Sequence, residues 1–270
     1  MTPSRVPVGI SSYAYRWAVG AGRLDAWQLV ERAKGLGLDV LQLLDNVPLD
    51  RWPDRDLQAL GQAAEGRLTL QVGMSGLDRE LLTRYVEVAR LCGAGLVRAT
   101  ADGDPQAAGQ TLRQVLPALR SSGTTLALEN HFDLPSTQLR DLVRRLDDPH
   151  VAICLDTLNS IALLEGPAET VAMLAPHAVC LHIKDGAMRR LGTGFQLVGT
   201  VLGEGSLDLP ALLQTVWAAG RRPPLLVELW QDPAASQEAT LAAEEDWVTR
   251  SLACARRLVD SCCQADATVV

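Results

Sequence analysis

Eight short apolar runs recur along the 270-residue chain, and stretches with helical or turn patterns separate them. The runs are rich in Val, Ile and Leu, which is typical of parallel strands buried on both faces. Eight strand-then-helix units predict an α/β fold with one (β/α)₈ barrel domain over residues 1–260 and a flexible tail over 261–270. In order, the runs cover residues 8–12, 40–44, 68–73, 96–99, 125–129, 151–156, 178–184 and 225–230.

A doubly wound open sheet is the structural alternative to a closed barrel. Such sheets often carry a G-x-G-x-x-G turn after the first strand, and this sequence has none. Eight units without that turn favour a sheet that closes into a barrel. The region 185–206, between the seventh strand and the next helix, shows no regular pattern, and we expect a long irregular loop over the active face.

Charge and composition argue against two classes of partner. The net charge is −7 and no block of basic residues occurs, whereas a nucleic-acid-binding surface needs a basic patch or stripe. No run reaches the roughly 18 apolar residues that a membrane span requires. The N-terminal segment lacks the apolar core of a signal peptide, and no CxxC pair occurs among the six cysteines. We therefore expect a cytoplasmic protein with reduced thiols and with neither a nucleic-acid nor a membrane partner.

Ionisable side chains stand at the ends of four consecutive predicted strands, where barrel enzymes place their catalytic groups. Glu129, Asp156, His182 and Glu228 each follow apolar residues, and the alternation of a strand points all four toward the barrel axis. One such residue is more often a helix cap or a hydrogen-bonded core residue. Four together would be costly to bury without a cation. Three carboxylates and an imidazole suit Mn²⁺ first, with Mg²⁺, Co²⁺ or Fe²⁺ as alternatives.

The segments ALENH, CLDTLN, LHIKD and LVELW, in this order, resemble the xylose isomerase-like TIM barrel superfamily, in particular its sugar phosphate isomerases and epimerases. The resemblance extends from GISSYAY through the eighth strand. It implies a metal site formed by Glu129, Asp156, His182 and Glu228, with no organic cofactor. It also implies that Glu129 and Glu228 are a catalytic proton-transfer pair, and that the protein forms a homodimer or homotetramer.

This resemblance predicts an isomerase or epimerase that acts on a small ketose or keto-polyol through a metal-stabilised cis-enediolate. One glutamate would remove the proton next to the carbonyl and the other would return it from the opposite face. Two departures leave the reaction open. Asn159 stands where the epimerases carry a histidine, and Met188 stands where they carry an arginine. The alternative is a lyase of the same fold that decarboxylates a 3-oxo sugar acid, such as 3-oxo-isoapionate, or dehydrates a keto-inositol.

Lys184 bears directly on that choice. It lies two residues after His182 and therefore on the same inward face of the strand. It would either form an ion pair with Asp156 or Asp185 or hold a carboxylate or hydroxyl of a small sugar or sugar-acid substrate. The complete set of predicted substrate contacts is His131, Asn159, Lys184, Asp45, Tyr13 and Trp230.

Two other classes fit the sequence less well. The three-zinc apurinic endonucleases of the same superfamily need many histidines and a DNA-binding surface, whereas this chain has four histidines and an acidic balance. A barrel that binds a ligand without turnover would not need both Glu129 and Glu228, and both are present.

Overall fold

The computed structural model describes residues 5–101 and 103–268, with side chains described as far as Cys262. Eight of its strands close into a parallel barrel in the order β1-β10-β7-β6-β5-β4-β3-β2, and β8 pairs with β9 in a separate antiparallel sheet. The predicted single (β/α)₈ barrel is confirmed. The strands are β1 Val8–Ser11, β2 Val40–Leu43, β3 Thr69–Met74, β4 Leu96–Thr100, β5 Thr125–Glu129, β6 Val151–Asp156, β7 Ala178–Ile183, β8 Asp185–Leu191, β9 Gly194–Thr200 and β10 Leu225–Val227.

Helices surround the barrel and bury their apolar faces against it. Their ends follow from local chemistry, as α4 illustrates. The side chain of Asp78 accepts a hydrogen bond from the Leu81 N–H at its start, and Gly93 ends it with a φ of +68°, a value that favours glycine. The helices are α1 Arg16–Gly20, α2 Ala26–Gly35, α3 Asp54–Ala64, α4 Arg79–Cys92, α5 Pro105–Ser122, α6 Ser136–Leu146, α7 Pro167–Leu174, α8 Leu209–Ala218 and α9 Gln237–Thr268.

The interior of the barrel is divided into an apolar cluster and a polar layer. The apolar cluster is separate from the main core between barrel and helices. On six strands, the residue two positions further along is polar and also points inward. The polar layer therefore lies toward the carboxyl ends of the strands. The six apolar residues are Val40, Leu96, Ala127, Cys154, Cys180 and Leu226, and the six polar ones are Gln42, Arg98, Glu129, Asp156, His182 and Glu228.

The region 185–206 corrects one expectation from the sequence. Instead of an irregular loop, strands β8 and β9 form a hairpin in which Asp185 pairs with Thr200 and Leu191 pairs with Gly194. Its outer half is exposed, including Met188 and Phe195. The sequence showed no alternating pattern because the residues of the outer half are exposed on both faces of the hairpin and carry no burial signal.

The ends of the chain leave one boundary open. Helix α9 continues to Thr268, and residues 269–270 lie outside the described part of the chain. The division into a domain over 1–260 and a flexible tail over 261–270 therefore stays a prediction. Within the described residues, no helix combines the length and apolarity needed to cross a bilayer.

A buried glycine offers a test of the barrel packing. A Cβ atom on Gly9 would lie 2.1 Å from the carbonyl oxygen of Val40 and 2.9 Å from Cδ2 of Leu226. We expect Gly9→Ala to lower the free energy of unfolding by about 1–3 kcal/mol or more, because strands β1 and β2 would have to separate. Denaturant unfolding measures the change.

Gly95→Ala is the matched control, because a Cβ there meets no atom within 4 Å. We expect that substitution to change the unfolding free energy by less than about 1 kcal/mol. Equal stability of both variants would contradict the close approach of β1 and β2.

Candidate metal and substrate site

The four predicted metal ligands meet inside the mouth of the barrel. One ligand atom from each of Glu129, Asp156, His182 and Glu228 lies within 4.8 Å of the others, so this group could hold a metal ion. All four residues are buried. They converge because β5, β6, β7 and β10 are adjacent, with Asp156 directly opposite His182 in the pairing of β6 and β7.

One nitrogen of the His182 imidazole faces the carboxylates of this group, and the other faces away from them. Nδ1 lies 3.2 Å from Oε1 of Glu129, 3.4 Å from Oε2 of Glu228 and 3.9 Å from Oδ2 of Asp156. Nε2 lies 2.6 Å from Oε1 of Gln42 on β2. Nδ1 is therefore the nitrogen that faces the carboxylates and is available as a metal ligand.

Asp156 is held so that one oxygen remains available. Its Oδ1 accepts hydrogen bonds from the backbone N–H groups of Leu158 and Asn159, both at 2.8 Å. Its Oδ2 accepts no hydrogen bond from any residue that the structure describes, although Nζ of Lys184 lies 2.9 Å away. A buried carboxylate oxygen without a hydrogen bond fits the binding of a cation. Together with two glutamates and one imidazole, this donor set suits a hard divalent ion.

Two buried cations accompany the carboxylates. Arg98, on β4, forms an ion pair with Glu129 and donates a hydrogen bond to the carbonyl of Met74 at 3.1 Å. Lys184 lies 2.6 Å from Oε1 of Glu228 as well as close to Asp156. Analysis of the sequence missed Arg98, although a charged residue within the apolar run LVRA was a visible signal. Both glutamates are thus held by a fixed positive charge.

These charges shift the pKa values of the carboxyl groups in different directions. Burial opposes ionisation of Glu129, but Arg98, His182 and Lys184 outweigh it and hold its pKa well below the ordinary value. Burial likewise opposes ionisation of Glu228, and Lys184 and His182 lower its pKa. Asp156 differs, because burial and the two nearby glutamates raise its pKa despite Lys184.

For His182, burial favours the neutral ring, but Cys154 and the carboxylates of Glu129 and Glu228 raise its pKa well above the ordinary value. In the absence of another cation, the imidazole therefore tends to carry a proton that faces the carboxylates.

Asp185 has a structural role that the sequence did not reveal. Rather than pairing with Lys184, its carboxylate accepts backbone hydrogen bonds from Gly186, Gly203, Gly205 and Leu207 at 2.8–3.2 Å. These bonds tie the start of β8 to the segment that follows the hairpin. The alternative pairing of Lys184 with Asp156 is the one that the structure shows.

A cavity of about 390 Å³ lies next to this group. Five of the six predicted substrate contacts line it, namely Tyr13, Asp45, His131, Lys184 and Trp230, and Arg16, Arg98 and Phe132 also do so. Asn159 lies behind the cavity, where it donates a hydrogen bond to Oε1 of Glu129 at 2.9 Å and accepts one from Lys184 at 3.1 Å. Its contact with substrate stays a prediction, while its contact with a predicted metal ligand is direct.

Aromatic rings form one wall of the cavity. The rings of His131 and Phe132 lie 3.9 Å apart, and those of Phe132 and Trp230 lie 5.9 Å apart. Nζ of Lys184 lies 4.9 Å from the centre of the Trp230 ring. Elsewhere in the lining, the Tyr13 hydroxyl donates a hydrogen bond to Asp45 at 3.0 Å, and burial and this carboxylate raise the pKa of Tyr13 to about 12.

Comparison with known proteins agrees with the barrel fold. Residues 30–258 match the family model described as xylose isomerase-like TIM barrel. The chain belongs to this family. It is 32% identical over 256 residues to the 3-oxo-isoapionate decarboxylase of Pectobacterium atrosepticum, a match that covers 91% of this chain and 93% of that protein.

Two solved structures show the same fold at low sequence identity. A crystal structure of D-psicose 3-epimerase in the presence of D-fructose is 12% identical, with a TM-score of 0.72 and coverage of 94% of this chain and 99% of that one. A xylose isomerase-like TIM barrel protein from Mycobacterium smegmatis, in complex with magnesium, is 15% identical, with a TM-score of 0.70 and coverage of 95% and 97%. At these identities they support the fold alone.

The pKa directions predict how cation binding depends on pH. Binding at Asp156 and Nδ1 of His182 requires that both lose their protons, and both have raised pKa values. We therefore expect Mn²⁺ binding to release protons at neutral pH. We also expect the Mn²⁺ affinity to fall as the pH is lowered, and this fall should begin at a higher pH than for a site whose aspartate has an ordinary pKa. Calorimetric titration in two buffers of different ionisation enthalpy measures the proton release.

Asp156→Asn should lower the Mn²⁺ affinity by more than roughly 10- to 100-fold, which is the loss typical when a residue that hydrogen-bonds to a metal ligand is replaced. Asp208→Asn is the matched control, since Asp208 caps α8 away from the site. Binding of Mn²⁺ to Asp156→Asn with the affinity of the unmodified protein would contradict the assigned ligand set.

Proposed function

We propose that this protein is a metal-dependent decarboxylase that acts on a 3-oxo sugar acid. The observation that carries the proposal is the pairing of both glutamates with fixed cations, Glu129 with Arg98 and Glu228 with Lys184. The relative that decarboxylates 3-oxo-isoapionate, to judge by its name, supports the same reading because the similarity covers nearly the whole of both chains.

Ion pairing makes the two glutamates better ligands than bases. A general base that removes a proton from carbon works best with a pKa near the operating pH. The cations instead lower the pKa of both Glu129 and Glu228. Decarboxylation does not need such a base, because the electron pair comes from the carbon–carbon bond to the departing carboxylate.

The charges around the cavity favour an anionic substrate. Arg16, Arg98 and Lys184 line it together with Asp45 and Glu228. Lys184 contacts two of the predicted ligands, Asp156 and Glu228, and also lines the cavity, so we assign to it the contact with the substrate carboxylate. The hydroxyls of the sugar acid would meet Tyr13, Asp45 and His131, and its carbon skeleton would lie along Phe132 and Trp230.

The reaction follows from these placements. A divalent cation held by Glu129, Asp156, His182 and Glu228, with Mn²⁺ as the first expectation, would supply Lewis-acid stabilisation of negative charge on the 3-oxo oxygen. As CO₂ leaves, the electron pair of the broken bond forms the carbon–carbon double bond of an enolate. The carbon that lost the carboxylate then takes one proton, and the result is a ketone. Lys184 and Tyr13 line the cavity in their protonated forms, so either could supply this proton.

Lys184→Met tests the assigned substrate contact. We expect CO₂ release from 3-oxo sugar acids to fall by about 100-fold or more, because a charge that stabilises the reacting group is removed. We expect Mn²⁺ affinity to stay equal or to rise, because the ammonium next to Asp156 and Glu228 is also removed. CO₂ release and Mn²⁺ titration by electron paramagnetic resonance measure the two effects.

Lys34→Met, on α2, is the control, because Lys34 pairs with Glu31 on the surface, away from the site. Full turnover in Lys184→Met would refute the assigned contact. Loss of Mn²⁺ binding in that variant would instead indicate that Lys184 supports the ligands.

An isomerase or epimerase remains the second candidate, and the presence of both Glu129 and Glu228 within the ligand group favours it. The two reactions differ in gas release and in isotope exchange. We expect CO₂ from a panel of 3-oxo sugar acids and no deuterium next to the carbonyl of simple ketoses incubated in D₂O. Mass spectrometry of the recovered ketoses and detection of CO₂ decide between them.

Deuterium exchange into a ketose without CO₂ release from any acid would replace the first candidate by the second. Glu129→Gln should abolish either activity, because Glu129 is a predicted ligand in both.

A further inference from the structure

We infer that Gln42, supported by Gln71, is a positioning residue that fixes which nitrogen of His182 faces the cation site. The inference rests on the cation site of the proposed function but not on the identity of the reaction. Gln42 lies on β2, across the barrel from β7, and it is fully buried. Its amide reaches His182 from the side opposite the carboxylates.

The orientation of the Gln42 amide is determined by its other neighbours. Its Nε2 lies 2.9 Å from Oε1 of Gln71 and 3.6 Å from Sγ of Cys180, and both atoms accept a hydrogen bond from it. The amide oxygen must then point toward His182, where it lies 2.6 Å from Nε2. An amide oxygen only accepts hydrogen bonds, so Nε2 of His182 must carry a proton.

The ring nitrogen that remains is Nδ1. With Nε2–H donated to Gln42, the lone pair of the neutral imidazole lies on Nδ1, within 3.9 Å of oxygens from Glu129, Asp156 and Glu228. A lone pair that faces three carboxylate oxygens is favourable only when a cation lies between them. The hydrogen bond from the far nitrogen of a histidine ligand commonly sets its tautomer and ring orientation in this way.

Gln71 completes the network. Its Oε1 accepts hydrogen bonds from Gln42 and, at 3.6 Å, from the Cys180 thiol, and Cys180 lies two residues before His182 on β7. The network therefore connects β2, β3 and the strand that carries the histidine. A flipped Gln42 amide would place its NH₂ group against Nε2–H and its oxygen against the Gln71 oxygen. Both contacts would be repulsive, so Gln42 cannot flip unless the Gln71 amide and the His182 tautomer change with it.

Gln42→Met tests the inference, since methionine keeps the volume of the side chain but offers no strong acceptor. We expect its Mn²⁺ affinity to fall by about 10- to 100-fold. Gln42→Glu restores an acceptor oxygen toward Nε2 of His182, and the Gln71 amide can turn its NH₂ group toward the second oxygen, so we expect this variant to recover most of the lost affinity. The matched control is Gln28→Met, on the surface at the start of α2. Mn²⁺ titration by electron paramagnetic resonance, without any substrate, measures all four proteins.

The second measurement is the protonation of His182 in ¹⁵N-histidine-labelled protein. The chain has four histidines, so the spectrum is simple, and a His182→Gln sample assigns the signal. We expect Nε2 of His182 to carry a proton in the unmodified protein, both with and without Mg²⁺. In Gln42→Met, we expect the Nδ1–H tautomer to become populated.

Wild-type Mn²⁺ affinity in a folded Gln42→Met variant would overturn the inference. So would a neutral His182 in the unmodified protein with its proton on Nδ1. Failure of the unmodified protein to bind Mn²⁺ would count against the proposed function instead, and the position of the His182 proton would still decide the role of Gln42.

Discussion

The mutual repulsion of three buried carboxylates is the constraint on which this site depends. Glu129, Asp156 and Glu228 converge within a few ångströms in the barrel interior, where isolated charges are very costly. Arg98, Lys184 and the imidazole of His182 offset this cost through direct contacts. Removal of one partner from a buried ion pair typically costs about 3–5 kcal/mol of stability. Each charged group is therefore tolerated in the barrel interior only because the others are present.

The apolar cluster beneath the site leaves the charged groups facing one end of the barrel. Cys154, Cys180 and Leu226 fill the barrel just below the polar layer, and the cavity at the carboxyl ends of the strands lies on the other side of the charges. A substrate that enters this cavity meets Lys184 and the ligand group from above. The same barrel geometry that holds the charges together therefore determines the side from which a substrate approaches.

Local sequence could predict the strands and their polar ends but not the contacts made across the barrel. Glu129 and His182 stood out because each interrupts an apolar run at the predicted face. The partners of these residues depend on register and closure. Arg98 lies opposite Ala127 in the pairing of β4 and β5 yet forms its ion pair with Glu129, and Gln42 meets His182 from a strand 140 positions earlier in the chain. Neither contact follows from spacing within one segment.

The hairpin of β8 and β9 is a second feature that local sequence did not predict. It connects the polar layer to the wall of the cavity. Its base is tied to Asp185, the residue after Lys184, through the N–H groups of Gly186, Gly203 and Gly205. A Cβ on Gly199, near the end of β9, would lie 2.0 Å from the carbonyl oxygen of Trp230, so the hairpin also packs closely against the aromatic wall. Lys184 and Trp230 lie on different strand ends, yet both adjoin the same rigid base. The segment GTVLGEG looks like a loop in the sequence, but a Cβ on Gly199 would meet Trp230 and a Cβ on Gly205 would meet Asp185, so both glycines are required there.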